Sequence, residues 1–201
     1  MAKGFNLHTA LVLASHHWRV RTRIRQLPTD GLSPRELVAI RALMDAAFGT
    51  DEEEGFADED WAHALGGRHF VLDVDGEIVS HASVVERVLE IGGRPIRTGY
   101  VEAVATAPGL EGRGHGSAVM AAVNEHIRAT FELGALGTGR HAFYERLGWE
   151  TWRGQAFVRT PDGPVRTPEE EGFILVLRTP LSLPFSLAES ISCDWRAGDV
   201  W

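Results

Sequence analysis

The chain has 201 residues, 44% of them hydrophobic and 24% charged, a balance that suits one domain with a full core. Its net charge of −8 argues against nucleic acid as the main ligand and leans toward a cationic one, although an acidic excess serves solubility equally well. Cys193 is the only cysteine, and no apolar run is long enough for a signal-peptide core or a membrane span, so a reducing cytoplasm is the expected setting.

Residues 1–17 have no clear period and read as a flexible extension ahead of a single domain over 18–201. From Trp18 to Leu27 the chain alternates, with Val20, Thr22 and Ile24 toward one side and Arg19, Arg21, Arg23 and Arg25 toward the other. That pattern predicts a half-buried or edge strand. Ser33-Pro34-Arg35-Glu36 is a capping box with proline at the first helical position, and Leu37, Ile40, Met44, Ala47 and Phe48 form the helix's apolar face. The run Asp51 to Gly55 breaks it. A short helix around Asp58, Asp60 and Trp61 stops at Gly66-Gly67. Strands follow over Arg68–Val74, Glu77–Ile91 and Arg94–Thr106, joined by turns at Asp75-Gly76 and Gly92-Gly93. Then come a helix over 116–133, a short strand over Gly134–Thr138 and a one- to two-turn helix over His141–Trp149. Two last strands lie near Ala156–Arg159 and Phe173–Arg178. The fold class is α/β (or α+β): a mixed central sheet flanked by helices.

One unit stands out. The strand carrying Glu102 runs into Pro108-Gly109-Leu110-Glu111-Gly112-Arg113-Gly114-His115-Gly116 and then into a helix. Glycines let backbone N–H groups approach an anion, and the helix N-terminus adds to the attraction. A carboxylate in such a strand is costly unless used or paired. The loop does not match the P-loop of nucleotide hydrolases, and the dinucleotide fingerprint fails at Ser117. By itself it is equally compatible with a plain surface loop. Nine histidines include no pair with metal-site spacing, so no metal is expected, and there is no Gly-x-Ser-x-Gly elbow.

With Ala142-Phe143-Tyr144-Glu145-Arg146-Leu147-Gly148-Trp149 added, the order of elements and the glycine turn resemble the GNAT acyltransferase superfamily. Within it, the chain is most similar to the aminoglycoside 2′-N-acetyltransferases. The matching stretches are Asp60–Gly67, Gly99–Val104, Leu133–Leu136, Arg166–Glu171 and Cys193–Trp201. The resemblance implies acetyl-CoA in a cleft between the fourth and fifth strands. Val104, Ala105 and Thr106 would meet the pantetheine, and Gly112, Arg113, Gly114, His115, Gly116 and Ser117 would wrap the pyrophosphate. It implies an aminoglycoside held by Glu54, Asp60, Glu102, Thr138, Glu170, Asp199 and Trp201, the last through its carboxylate. It also implies a homodimer.

The chemistry fits those positions. An amine must be neutral to attack a thioester, so Glu102 is the candidate base. Tyr144 is the candidate acid for the departing thiolate, and backbone N–H groups of the fourth strand are candidate oxyanion donors. A salt-bridged Glu102 and a merely packed Tyr144 are the alternatives. Each exposed acid–amine pair adds only about 0.2–1 kcal/mol, so several acids must act together. Three departures bear on the substrate. Glu111 stands at the loop's mouth and is expected to point to solvent, with Arg113 compensating. Gly55 replaces a substrate-binding Asp, and Gly137–Arg140 is shorter than in that family. They bear on which aminoglycoside is taken and admit a kasugamycin-type one; another small cationic amine and a non-catalytic binding module are the alternatives, and the presence of both Glu102 and Tyr144 argues against the module.

Overall fold

The computed structural model describes residues 21–50 and 55–201. The proposed extension 1–17, the strand start Trp18–Val20 and Glu54 lie outside the described residues.

The chain begins with edge strand β1 (Thr22–Pro28), paired only with β2 (Arg68–Val74). Its outward face is not the arginine side. Ile24 is exposed, whereas Leu27 packs under helix α1 (Pro34–Phe48) and Arg25 bonds both Glu36 and Asp73. One guanidinium thus ties β1, β2 and α1, and its carboxylate partners compensate its desolvation. Ser33 and Glu36 form the expected capping box. The Ser33 bonds hold the Glu36 carboxyl down at about 2. The buried face of α1 is Ile40, Leu43 and Met44, while Phe48 is exposed. Helix α2 (Asp58–Ala64) follows, its start closed by Asp60 accepting from the Ala57 N–H.

The Asp75-Gly76 turn, with both residues at positive φ, sends β2 into β3 (Glu77–Ile91). Gly92-Gly93 does the same for β4 (Arg94–Thr106). Strand β3 is long enough to serve two neighbours along one edge: β2 bonds its first half, and β10 (Ile191–Asp194) bonds its last two residues. Helix α3 (His115–Thr130) buries Val119, Met120, Val123 and Ile127 against the sheet. Strand β5 (Leu133–Gly137) lies parallel to β4, and β9 (Ile174–Arg178) lies antiparallel to β5. Helix α4 (His141–Glu145) is a single turn, and β6 (Glu150–Thr151) pairs with β9. Strands β7 (Ala156–Thr160) and β8 (Gly163–Arg166) form a hairpin, with β10 inserted between β7 and β3. The result is one mixed ten-stranded sheet with α1 and α2 toward one face and α3 on the other.

Several bounds differ from the sequence reading. Helix α3 ends at Thr130, β5 begins at Leu133, and α4 stops at Glu145. Strands β6, β8 and β10 were not anticipated. They have two, four and four residues, too short for a period to register, and the partners of β6 and β10 are remote in sequence.

Candidate active site

The cleft starts where β4 and β5 part. Their pairing covers only Thr98–Tyr100 with Leu133–Ala135, so β4 from Val101 onward has no partner on that side. A bulge lies just beyond. Ser83 pairs with Glu102 but His81 pairs with Ala105, so one β3 residue opposes Ala103 and Val104 together. Ala103 adopts a left-handed φ of 49° to make this step. Val104 packs toward α3, and Ala105 is buried toward α1. Thr106 Oγ1 lies 3.0 Å from Ser80 Oγ. A Cβ at Gly116 would stand 3.1 Å from Thr106 Oγ1 and 3.5 Å from the Phe143 ring, so β4, α3 and α4 meet at that glycine.

The loop before α3 turns through positive φ at Gly109, Gly112 and Gly114. Gly114 caps α3 without any side-chain bond, and the first helical N–H to find a carbonyl is that of Ala118. The N–H groups of residues 112–117 donate to no described residue. They form a cluster of free donors at a helix N-terminus, beside the open edge of β4, the arrangement that suits a pyrophosphate. Glu111 and Arg113 are both exposed.

Glu102 is paired, though not across the sheet. Arg196 Nη1 donates to Glu102 Oε1 at 2.6 Å, and both side chains are mostly buried. Burial raises the Glu102 pKa, and the Arg196 charge pulls against that rise. Arg196 Nε also donates to the Asp199 carbonyl. From β3, Arg87 donates to Asp194 Oδ1, to the Asp194 carbonyl and to the Val200 carbonyl. Both guanidinium groups sit over the Tyr100 ring, at 4.7 Å for Arg87 and 5.5 Å for Arg196. The Tyr100 hydroxyl is buried and has no hydrogen-bond partner among the described residues. A Cβ at Gly137 would stand 3.7 Å from that hydroxyl and 3.5 Å from the Trp201 main-chain carbonyl carbon, so Trp201 reaches the mouth of the β4–β5 cleft. Its indole N–H donates to Thr167 Oγ1, and its backbone N–H to Asp199 Oδ1.

These contacts gather several of the anticipated acids. Asp199 raises the pKa of both Glu102 and Glu170, and burial is the larger cause at each. Asp60 lies on α2, which packs against the terminal segment. An added Cβ at Gly198 would come within 2.7 Å of Glu59 Cβ. In this structure Asp60 caps its own helix. Thr138, just past β5, donates its N–H to the Phe173 carbonyl and accepts the Arg140 N–H at Oγ1. His115 and Ser117 lie in the first turn of α3.

Tyr144 is buried, edge-on to Phe143 and Trp149. Burial pushes its phenol up to about 12, so it holds its proton throughout the neutral range. Its hydroxyl bonds no described residue.

Residues 30–152 match the family model described as an acetyltransferase (GNAT) domain. The chain is 40% identical over 88% of its length, and 91% of the relative's, to a protein of Mycolicibacterium fortuitum named aminoglycoside 2′-N-acetyltransferase. This chain belongs to the GNAT acetyltransferase family. A GNAT acetyltransferase from Brucella melitensis, solved in complex with acetyl-CoA, has the same fold at 18% identity, with a TM-score of 0.57 over 88% of this chain and 97% of that one. A GCN5-related N-acetyltransferase from Kribbella flavida matches with a TM-score of 0.56 at 24% identity over 68% of this chain, which spans 34% of that structure's length.

Three side chains at the centre of the site were not anticipated: Tyr100, Arg87 and Arg196. Tyr100 and Arg196 stand inside matched stretches, one beside Glu102 and the other three residues before Asp199. Arg87 lies in none of them; β3–β4 pairing sets it opposite Thr98, beside Tyr100, and β10 brings Asp194 to it.

Proposed function

We propose that this chain transfers the acetyl group of acetyl-CoA to the 2′-amino group of an aminoglycoside. The observation that carries the reading is the 40% identity, over 88% of the chain, to the relative of that name. The free N–H cluster at residues 112–117 supports a pyrophosphate site, and the open edge of β4 at Val104–Thr106 supports a pantetheine site.

In this reading Glu102, through the oxygen that Arg196 leaves free, takes a proton from the bound ammonium directly or through a water. The amine then forms the C–N bond, and its nitrogen gives a second proton to solvent as the C=O bond re-forms. The N–H of Val104 faces the charge that develops on the carbonyl oxygen. As the C–S bond breaks, Tyr144 gives its proton to sulfur and recovers one from solvent. One proton is released overall. Asp60, Glu170, Asp199 and the Trp201 carboxylate attract the polycation, together with Thr138 as a polar contact and Glu54. The same reading carries a cytoplasmic homodimer, with 18–201 as the catalytic domain behind the 1–17 extension.

Within this reading, Gly55 and the short Gly137–Arg140 segment point to an unusual aminoglycoside such as one of kasugamycin type; the second reading is acetylation of another small cationic amine. Thiol release from acetyl-CoA, measured against aminoglycosides with and without a 2′-amine, tests the choice. Turnover confined to 2′-amino compounds is expected. Turnover of compounds that lack this amine selects the second reading, and no turnover with any amine overturns both.

A further inference from the structure

Between α1 and the sheet runs a chain of polar groups that the reaction above leaves unused. His69 and His81 are both fully shielded from solvent. Thr29 Oγ1 accepts the Gly66 N–H at 2.8 Å and lies 2.8 Å from His69 Nε2. His69 Nδ1 is 2.9 Å from His81 Nε2. His81 Nδ1 is 2.8 Å from the Ala103 carbonyl oxygen, in the β4 bulge.

The direction of every bond follows from the last one. A carbonyl only accepts, so His81 carries its proton on Nδ1. Its Nε2 must then accept, so His69 donates from Nδ1. His69 Nε2 accepts in turn from the Thr29 hydroxyl. With both rings neutral, each sits in one tautomer; a proton added at His81 Nε2 would set two donors face to face, and one added at His69 Nε2 would turn the Thr29 hydroxyl toward the Gly67 carbonyl oxygen, 3.4 Å away. Burial agrees with this, lowering His69 to about 4 and His81 to about 3.

The chain ends on the one residue of β4 that needs holding. Ala103 is left-handed, and the only other non-glycine residue with positive φ among those described is Asp75, in a hairpin turn. Neither Ala103 nor Val104 has a ladder partner in β3 or β5. The peptide is trans, so the Val104 N–H points opposite to the Ala103 carbonyl and away from His81.

We propose that His81, oriented by His69 and Thr29, is a positioning residue that locks the Ala103–Val104 peptide and so aims the Val104 N–H at the thioester oxygen. The proposal rests on the acetyl-transfer reading for its catalytic meaning. A carbonyl left without His81 could rotate with its peptide, and the donor on the other side would swing with it.

The test compares wild type, His81→Leu and His81→Asn, whose amide N–H can reach the same carbonyl. His81→Leu is expected to lower kcat by roughly tenfold to a hundredfold, a part of the loss seen when such a donor is removed outright. Acetyl-CoA affinity and KM should stay near wild type, and His81→Asn should recover most of the rate. A folded His81→Leu with wild-type kcat overturns the proposal, and so does His81→Asn no better than His81→Leu. The Val104 amide signal, recorded with and without acetyl-CoA, needs no acceptor. Its response should survive in wild type and His81→Asn and be lost in His81→Leu, whereas an equal response in all three overturns the proposal. If wild type acetylates no amine, the functional reading falls and this amide signal alone decides the relay. If His81→Leu does not fold, Thr29→Val carries the test. It should mix the His69 tautomers in nitrogen-15 spectra and reduce kcat, and a single tautomer or an unchanged kcat counts against the relay.

Discussion

Glu102 is subject to two opposed influences. Burial favours its neutral acid, and Arg196 favours the carboxylate. A base needs the carboxylate, so in the acetyl-transfer reading Arg196 works in favour of the base and against burial. Replacing Arg196 with Met removes the larger downward pull and leaves burial unopposed by it. The acidic limb of the kcat/KM–pH profile is then expected to move to higher pH, and an unmoved limb would break the link between Arg196 and the base. Glu102→Gln should lower kcat by about 10²–10⁴ while acetyl-CoA affinity stays close to wild type. Equal rates for both proteins would end the base assignment. The places of Glu102 on a strand and Tyr144 on a short helix were legible in the sequence because each belongs to a short stretch with its own pattern. The Glu102–Arg196 pair was not, since its partners stand 94 residues apart and no local period connects them. His81 was equally silent, because a lone histidine in a strand gives no sign of what its ring meets.

At the level of elements, the strand–loop–helix unit kept the form expected of it. Its signals are glycine spacing, apolar period and turn chemistry, all of which act within a few residues. Gly114 shows how much rests on one backbone angle. Its φ of 87° is left-handed, and a Cβ there would touch nothing within 4 Å, so the cost of Gly114→Ala is conformational alone. That cost is about 1 kcal/mol, or a drop of about 2–4 °C in Tm. The same change should weaken acetyl-CoA binding several-fold by disturbing the N–H cluster, as calorimetry of wild type and variant would measure. Unaltered binding would place the pyrophosphate elsewhere. By contrast β10 was illegible. Ile191-Ser192-Cys193-Asp194 is strand only because β3 and β7 flank it, and no propensity in four residues declares that.

Over the whole molecule, the buried histidine pair couples stability to pH. In an unfolded chain these rings take up a proton near pH 6.5, while the fold resists it down to about 4 at His69 and about 3 at His81. Below pH 6.5 the unfolded state therefore binds more protons, and stability falls with pH by about 1.4 kcal/mol per unit for each ring. Thermal melts should show this decline between neutrality and about pH 4, and a flat Tm over that range would mean the rings are not neutral in the fold. The general class, a mixed sheet between helices, followed from composition and period. The forked edge of β3 did not, because it depends on which distant strand arrives to fill it. That fork has a consequence in time. The bonds from Arg87 to Asp194 close over 107 residues of chain, so the terminal segment docks only after much of the sheet exists to receive it. Tyr100, Glu102 and Arg87 would wait, assembled but uncovered, until Arg196 and Asp199 reach them. Completion of the acidic wall is thus expected late in folding, and a molecule caught before it would have the glycine loop and the open β4 edge without the acids of the terminal segment.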